Sequence, residues 1–320
     1  MFKRFLGRSG IEISAMGLGC WAIGGPFWKK GLPVGWGQVN DTESSRCIHR
    51  AIDLGINFFD TADVYGCGHS ERVLGKALTG HHHSVVIATK FGQVLVEETR
   101  QAIGYDTSPE HIRHACEASL QRLNTDVIDL YQLHVKEVNE EHALIILQVL
   151  EELVTEGKIR YYGWSTDNAD SARIFAQGPH CTAIQQQFNV FEGNATTLAV
   201  CEEFNLASIN RSPLSMGLLT GKFTLDTPIS ADDVRSRRPA FQENRAYRLT
   251  QLEKIRTVLT QDGRKPAQGA LGWLWARSNF TVPIPGFKTI EQVEENIGAL
   301  KFDPLTAGQM HHISMILSES

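Results

Sequence analysis

Short apolar runs, mostly continuous rather than alternating with polar residues, recur along the 320-residue chain between longer stretches of helical spacing. Continuous runs of this kind are expected of strands buried on both faces, as in parallel sheets. Eight read as strands: SAMGLGC, INFFDT, VVIATKF, VIDLYQLH, RYYGWS, TAIQQQF, ASINRS and FTVPIPG. Helical signals fill the gaps. Ser108 and Pro109 predict an N-cap and first-turn proline, after which Ile112, Cys116, Leu120 and Leu123 keep one face. Ala143, Ile146, Leu147, Leu150, Leu153 and Val154 mark another buried face, with Gly157 as the stop. The opening FKRFLGRSGIEIS reads as a β-hairpin turning at Ser9 and Gly10. Eight β-α alternations without a linker predict one domain over residues 1–320, a (β/α)8 TIM barrel closed at its base by the N-terminal hairpin. A doubly wound open sheet is the alternative, but its usual chain does not reach eight uninterrupted pairs.

Composition narrows the class. A hydrophobic content of 42% and a charged content of 21% fit a globular protein with a large core. The net charge of −5 and the lack of a basic stripe argue against nucleic acid as a partner. No apolar run approaches the roughly 20 residues needed to cross a bilayer, and the N-terminus lacks the apolar core of a secretory signal. The six cysteines include no CxxC pair and make no disulfide framework, so a reducing cytoplasm is expected. His81, His82 and His83 are read as an exposed helix-to-strand loop, and no metal is expected. One stretch breaks the rhythm. Residues 222–248 are polar, and an excursion of this length after the seventh strand is more often functional than idle. Its arginines suit either a phosphate-bearing ligand or a solvated loop.

The candidate chemistry sits at strand ends, where a parallel barrel places its active site. Asp60 and Tyr65 lie in INFFDTADVYGCGHSE, Lys90 closes VVIATK, and His134 closes IDLYQLH. A free phenol, with a pKa near ~10, is a weak acid at neutral pH. A neighbouring ammonium should lower it, and a buried carboxylate would keep that ammonium charged and in place. Each residue alone is unremarkable, since a lone strand-end His is more often a satisfied structural group. Their arrival on strands two, three and four is what points to proton transfer at a carbonyl oxygen. Two other patterns fail. GLGCWA, from Gly17, is not followed by a helix, as a dinucleotide fingerprint requires. GLLTGKF, from Gly217, is one residue short of a P-loop and ends in Phe223 instead of a hydroxyl.

With these residues in order, the chain resembles the aldo-keto reductase family, in its prokaryotic-type branch related to potassium-channel β-subunits. The likeness runs through GLGCW, INFFDTADVYGCGHSERVLG, VIATK, DLYQLH, YYGWS, IQQQFN, SPLSMGLLTGK and IPGFKTIEQVEENI. DTADVYG with the later TK and QLH is its most specific part. The resemblance implies a nicotinamide cofactor without a Rossmann fold, NADP(H) ahead of NAD(H), and a small carbonyl or alcohol substrate. It makes Tyr65 the general acid–base, tuned by Lys90 and Asp60, with His134 orienting the carbonyl. Cofactor contacts fall on Gly19, Trp21, Asp60, Ser165 and Gln185, the last two at the carboxamide. Ser212, Pro213, Leu214 and Gly217 match the pyrophosphate loop, and Gly286, Lys288, Thr289, Gln292, Glu295 and Asn296 match the adenosine end.

Three positions depart from that pattern. Thr166 stands where Asn usually follows the strand-five serine, so an amide donor is lost. Arg211 stands where an aromatic ring commonly stacks on nicotinamide; a planar guanidinium can stack, but as a cation it should favour reduced cofactor. Gln292 replaces an arginine often found on the 2′-phosphate, leaving Lys288 to supply the charge. Trp21 and Trp28 are expected at the rim of the substrate site, with Phe27 and Trp36 either there or in the core. A Schiff-base lyase using Lys90 and a cofactor-bound scaffold or regulatory subunit are the rival functions. The substrate, the favoured direction and the oligomeric state are not legible.

Overall fold

A computed structural model describes residues 2–318. The chain opens with the expected hairpin, β1 (Lys3–Phe5) paired antiparallel with β2 (Glu12–Ser14), turning through a 3-10 segment that ends at Gly10. All eight expected barrel strands form, and helices alternate with them. In chain order these are β3 (Leu18–Gly19), β4 (Trp28–Lys29) and β5 (Leu32–Pro33), α1 (Asp41–Asp53), β6 (Phe58–Asp60), α2 (His69–Ala77) and β7 (Val86–Phe91). Next come β8 (Gln93–Val96), β9 (Gln101–Tyr105), α3 (Pro109–Leu123), β10 (Ile128–Leu133), α4 (Glu140–Thr155), β11 (Ile159–Ser165) and α5 (Ala169–Ala176). The remainder is β12 (Cys181–Asn189), β13 (Glu192–Gly193), α6 (Ala195–Glu203), β14 (Ala207–Arg211), α7 (Pro239–Gln242), α8 (Arg245–Leu259), α9 (Pro266–Arg277), β15 (Thr281–Pro283), α10 (Ile290–Ile297) and α11 (Ala307–Ser318).

The sheet runs β3-β6-β7-β10-β11-β12-β14-β15, with parallel pairing throughout. Its two edges meet. Gly17 and Gly19 donate to the carbonyls of Pro283 and Pro285 at 3.0 and 3.1 Å, and Gly19 bridges Gly286 in parallel, so the barrel closes.

Two apolar cores follow from that closure. Phe58, Val86, Ala88, Leu130, Ala183, Ile209 and Val282 fill the barrel, and Leu6 and Ile13 of the hairpin plug it from below. A larger core lies between barrel and helices, including Ile87, Tyr131, Trp164 and Leu150. Because a strand alternates its faces, the inward positions advance by two residues. From Phe58, Ala88, Leu130 and Ala183, the next inward rung is therefore Asp60, Lys90, Gln132 and Gln185. An apolar barrel thus carries a polar top.

The helices begin where the chain offers caps. Ser108 accepts from the His111 amide as expected, and Asn40, Asn139, Asn168 and Asn194 do the same for α1, α4, α5 and α6. One piece of architecture was not legible beforehand. β5, β4, β9 and β8 form a separate four-stranded sheet beside the barrel mouth, built from loops that follow β3 and β7.

Candidate active site

The polar rung is a continuous hydrogen-bonded unit. The Lys90 ammonium donates to Asp60 Oδ2 at 2.6 Å, to the Thr61 carbonyl at 2.7 Å and to the Tyr65 hydroxyl at 3.2 Å. Asp60 Oδ1 accepts from Gln185 Nε2 at 2.7 Å and from Gln132 Nε2 at 3.1 Å. Both carboxylate oxygens are therefore satisfied, which a buried charge requires. Gln132 was missing from the sequence reading, although it precedes His134 by the two residues that mark a shared inward face.

Tyr65 lies on the turn after β6. Trp21 stacks on it at 5.9 Å between ring centres, and His134 meets it edge-on at 6.1 Å. The turn leaves no room for a side chain at Gly66, whose φ is +65° and whose added Cβ would stand 1.9 Å from the Gly24 carbonyl oxygen. Underneath, Glu71 of α2 accepts from Thr89 at 2.5 Å and from Arg122 of α3 at 2.6 Å. This fixes the start of α2 and the residue before Lys90 to one another.

The electrostatics differ from expectation at the phenol. Burial pushes the Tyr65 pKa above its ordinary value; Lys90 pulls it down without overcoming burial and the nearby Asp60 charge. The phenol is thus less acidic than the sequence predicted, because the ammonium that should acidify it is shared with Asp60 in a dry site. Burial also presses on Lys90, but Asp60 and Tyr65 lift its pKa above that of a free lysine. His134 is held neutral, well below its ordinary value, by burial and then by the charges of Lys90, Arg211 and Lys29.

Above the rung opens a cavity of about 670 Å3. It takes in most of the residues singled out beforehand: Gly19, Trp21, Asp60, Tyr65, His134, Ser165, Thr166, Gln185, Arg211, Ser212, Pro213, Leu214, Gly217, Gly286, Lys288, Gln292, Glu295 and Asn296. Two lie apart from the wall. Lys90 is wholly buried and reaches the cavity through its partners Tyr65 and Asp60, and Thr289 caps α10 by accepting from the Gln292 amide at 3.3 Å. Among the early aromatic residues, Trp21, Phe27 and Trp36 line the cavity, whereas Trp28 belongs to β4 and does not. The expectation for Trp28 fails because strand pairing in the small sheet turns it away.

Several departures acquire physical content here. Thr166 Oγ1 accepts from the Asn168 amide at 3.1 Å, which leaves its O–H as a donor. Gln185 has its amide nitrogen committed to Asp60 and Gln132, which leaves its oxygen for a ligand. Arg211 donates to Gln187 at 3.0 Å and pairs with Asp167, so its charge has a counter-ion that the sequence reading lacked. Lys288 donates to the Trp36 and Gln38 carbonyls at 2.5 and 3.1 Å, tying the strand-eight loop to the strand-one loop. The excursion after β14 is part of the cavity wall and not merely solvated. Arg235 and Arg238 line it, Trp36 bridges Asp233, and Lys222 pairs with Glu295 of α10 at 3.1 Å.

The cavity suits a long anionic cofactor. Its wall between β14 and α10 carries Lys222, Arg235, Arg238 and Lys288, and the backbone there is left-handed at Ser212, Ser215 and Met216. Gly19 has no space for a side chain, since a Cβ would stand 2.8 Å from the Ile284 carbonyl oxygen. The buried Trp21 and Trp36 indole nitrogens and His134 Nδ1 have no protein partner, so the site holds polar groups still to be satisfied.

A model of the Aldo/keto reductase family matches residues 15–318. An aldo-keto reductase of Schizosaccharomyces pombe, yakc [NADP(+)], is 32% identical over 297 residues, which is 90% of this chain and 84% of that one. The glycerol dehydrogenase AKR11B4 from Gluconobacter oxydans superimposes with a TM-score of 0.86 at 30% identity, covering 99% of this chain and 95% of that one. The aldo-keto reductase AKR11C1 from Bacillus halodurans, in its holo form, gives 0.80 at 28% identity over 99% and 96%.

Proposed function

Since this chain belongs to the aldo/keto reductase family, we propose that Tyr65 is the general acid–base of its nicotinamide-dependent carbonyl reduction, with Lys90, held in place by Asp60, easing release of its proton. The protein is an NAD(P)H-dependent oxidoreductase of aldehydes or ketones, or of the corresponding alcohols. NADP(H) is its cofactor, in keeping with the name of the S. pombe relative. A bound nicotinamide supplies the hydride in reduction and accepts it in oxidation.

The chain's own residues do the rest. The Tyr65 hydroxyl, 3.2 Å from Lys90 Nζ and on the cavity wall, gives its proton to the carbonyl oxygen. Lys90 then stands beside the phenolate and stabilises it. His134, neutral at working pH, accepts or donates a hydrogen bond to the same oxygen and orients it. Ser165 and the free oxygen of Gln185 would hold the carboxamide, and Gly19 and Trp21 would bound the ring. Ser212, Pro213, Leu214 and Gly217 would hold the pyrophosphate. Gly286, Lys288, Gln292, Glu295 and Asn296 would hold the adenosine end, where Lys288 has one proton left for a phosphate and Thr289 sets the start of α10. With Asp167 beside Arg211, the bias toward reduced cofactor is smaller than a bare cation would give.

The observation that carries this reading is the unbroken chain Asp60–Lys90–Tyr65 ending at the cavity. It also weighs against a lyase. The Lys90 amine makes three hydrogen bonds, is fully buried and is held charged, none of which suits attack on a carbonyl. A cytoplasmic location belongs to the proposal and is supported by six free, buried cysteines; no helix among the described residues is long and apolar enough to cross a membrane. The test is Tyr65→Phe. It should still bind NADPH, and turnover of every aldehyde should fall by at least ~10²-fold. Retained turnover would remove Tyr65 from the chemistry. A purely regulatory, cofactor-bound role would instead show negligible turnover in the unmodified protein.

A further inference from the structure

We infer that the small sheet beside the barrel builds an anion-recognition subsite from Lys29, Tyr105 and Gln93, so that preferred substrates are carbonyl compounds carrying a carboxylate or phosphate away from the reacting carbon. The inference rests on the reductase reading above and names its substrate class.

Lys29 comes from β4, Gln93 from β8 and Tyr105 from the end of β9, and all three line the cavity. The Lys29 ammonium donates to Gln93 Oε1 at 3.1 Å and to the Tyr105 hydroxyl at 2.6 Å. Gln93 in turn donates to the His134 carbonyl at 3.0 Å. One amide therefore separates this cation from the backbone of the residue that faces the carbonyl. Three other cavity cations have carboxylates: Lys222 has Glu295, Arg235 has Asp233 and Arg211 has Asp167, while Lys288 is taken up by the Trp36 and Gln38 carbonyls beside β15. Lys29 has two neutral partners and, among the described residues, no ion pair.

An ammonium has three donors; two here meet acceptors, and the cation also lies 3.9 Å from the centre of the Tyr105 ring, so no anion yet balances it. A half-buried cation with only neutral partners is incompletely compensated, and an anionic ligand would complete it. The cofactor's phosphates do not account for it. Their proposed contacts follow β14 and β15, whereas the small sheet follows β3 and β7 and abuts His134 after β10, across the mouth. Trp21, Phe27 and Val34 line the cavity too, as a short apolar wall suited to a carbon spacer.

The experiment compares NADPH oxidation by the full chain on two matched pairs: 4-oxobutanoate against butanal, and glyceraldehyde 3-phosphate against glyceraldehyde. The anionic member of at least one pair should show the higher kcat/KM by about tenfold, the scale of one charge-assisted hydrogen bond. Which pair responds distinguishes carboxylate from phosphate. Lys29→Met should lower that anionic-to-neutral ratio by about tenfold, chiefly through KM, and Lys29→Arg should keep most of it. Lys29→Gln repeats the test should the methionine variant fail to fold. A ratio equal in wild type and both neutral variants overturns the subsite and leaves the reductase reading standing. Failure to oxidise NADPH with any of the four aldehydes overturns the subsite as well, and the reductase reading fails only if other aldehydes, ketones and alcohols are inert too.

Discussion

At the scale of single residues, the site turns on a competition between burial and a nearby cation. Burial and Asp60 raise the Tyr65 pKa, and Lys90 opposes them. Removing the ammonium leaves the upward influences opposed only by the weaker pull of Arg211. In Lys90→Met the phenol should therefore hold its proton to still higher pH. The alkaline fall in the reduction rate, which requires protonated Tyr65, should move upward or out of range. The rising limb of alcohol oxidation, which requires phenolate, should move the same way, so oxidation at neutral pH loses more than reduction does. Profiles of kcat against pH in both directions check this; unchanged limbs would mean that the two groups are not coupled. His134, held neutral, should contribute no limb near pH ~6.5.

At the scale of elements, the tyrosine turn is specified by what surrounds it. Gly66→Ala forces a side chain into a left-handed position that already touches the Gly24 carbonyl. It should cost about 1–3 kcal/mol in denaturant unfolding and lower turnover by displacing Tyr65. Arg122→Met attacks the support below. Glu71 is fully buried and Arg122 is 9% exposed, so loss of the guanidinium strands Glu71 without its cation. The nearby Asp63, buried and raised in pKa by burial and then by Glu71, already lacks a partner for Oδ1. About 3–5 kcal/mol of stability should be lost, read as a lower urea midpoint. The strands themselves were legible because continuous apolar runs and a period of two are local signals. The small four-stranded sheet was not, since QVLV and QAIGY are short, mixed in polarity and fixed only by pairing with each other and, for QAIGY, with β4.

At the scale of the whole molecule, the barrel supplies a rigid polar floor, and loops from opposite ends of the chain close over it. Lys288 holds the Trp36 loop, Lys222 holds Glu295, and Asp233 bridges Trp36. Cofactor binding should stabilise the fold by mass action, by about 2.7 kcal/mol at a hundred times its Kd. NADPH should accordingly raise Tm more than NADH at equal concentration, as differential scanning would show; the reverse order would contradict the cofactor preference. The chain's own pattern was enough to determine the eight strands, the hairpin plug and the strand-end placement of Asp60, Lys90 and His134, because apolar runs and strand ends are properties of neighbouring residues. Tertiary structure alone decided the direction of the Tyr65 shift, the pairing of Arg211 with Asp167 and the commitment of Lys288 to a loop some 250 residues away. Charge balance depends on burial and on partners far apart in sequence, and neither is encoded in any local stretch.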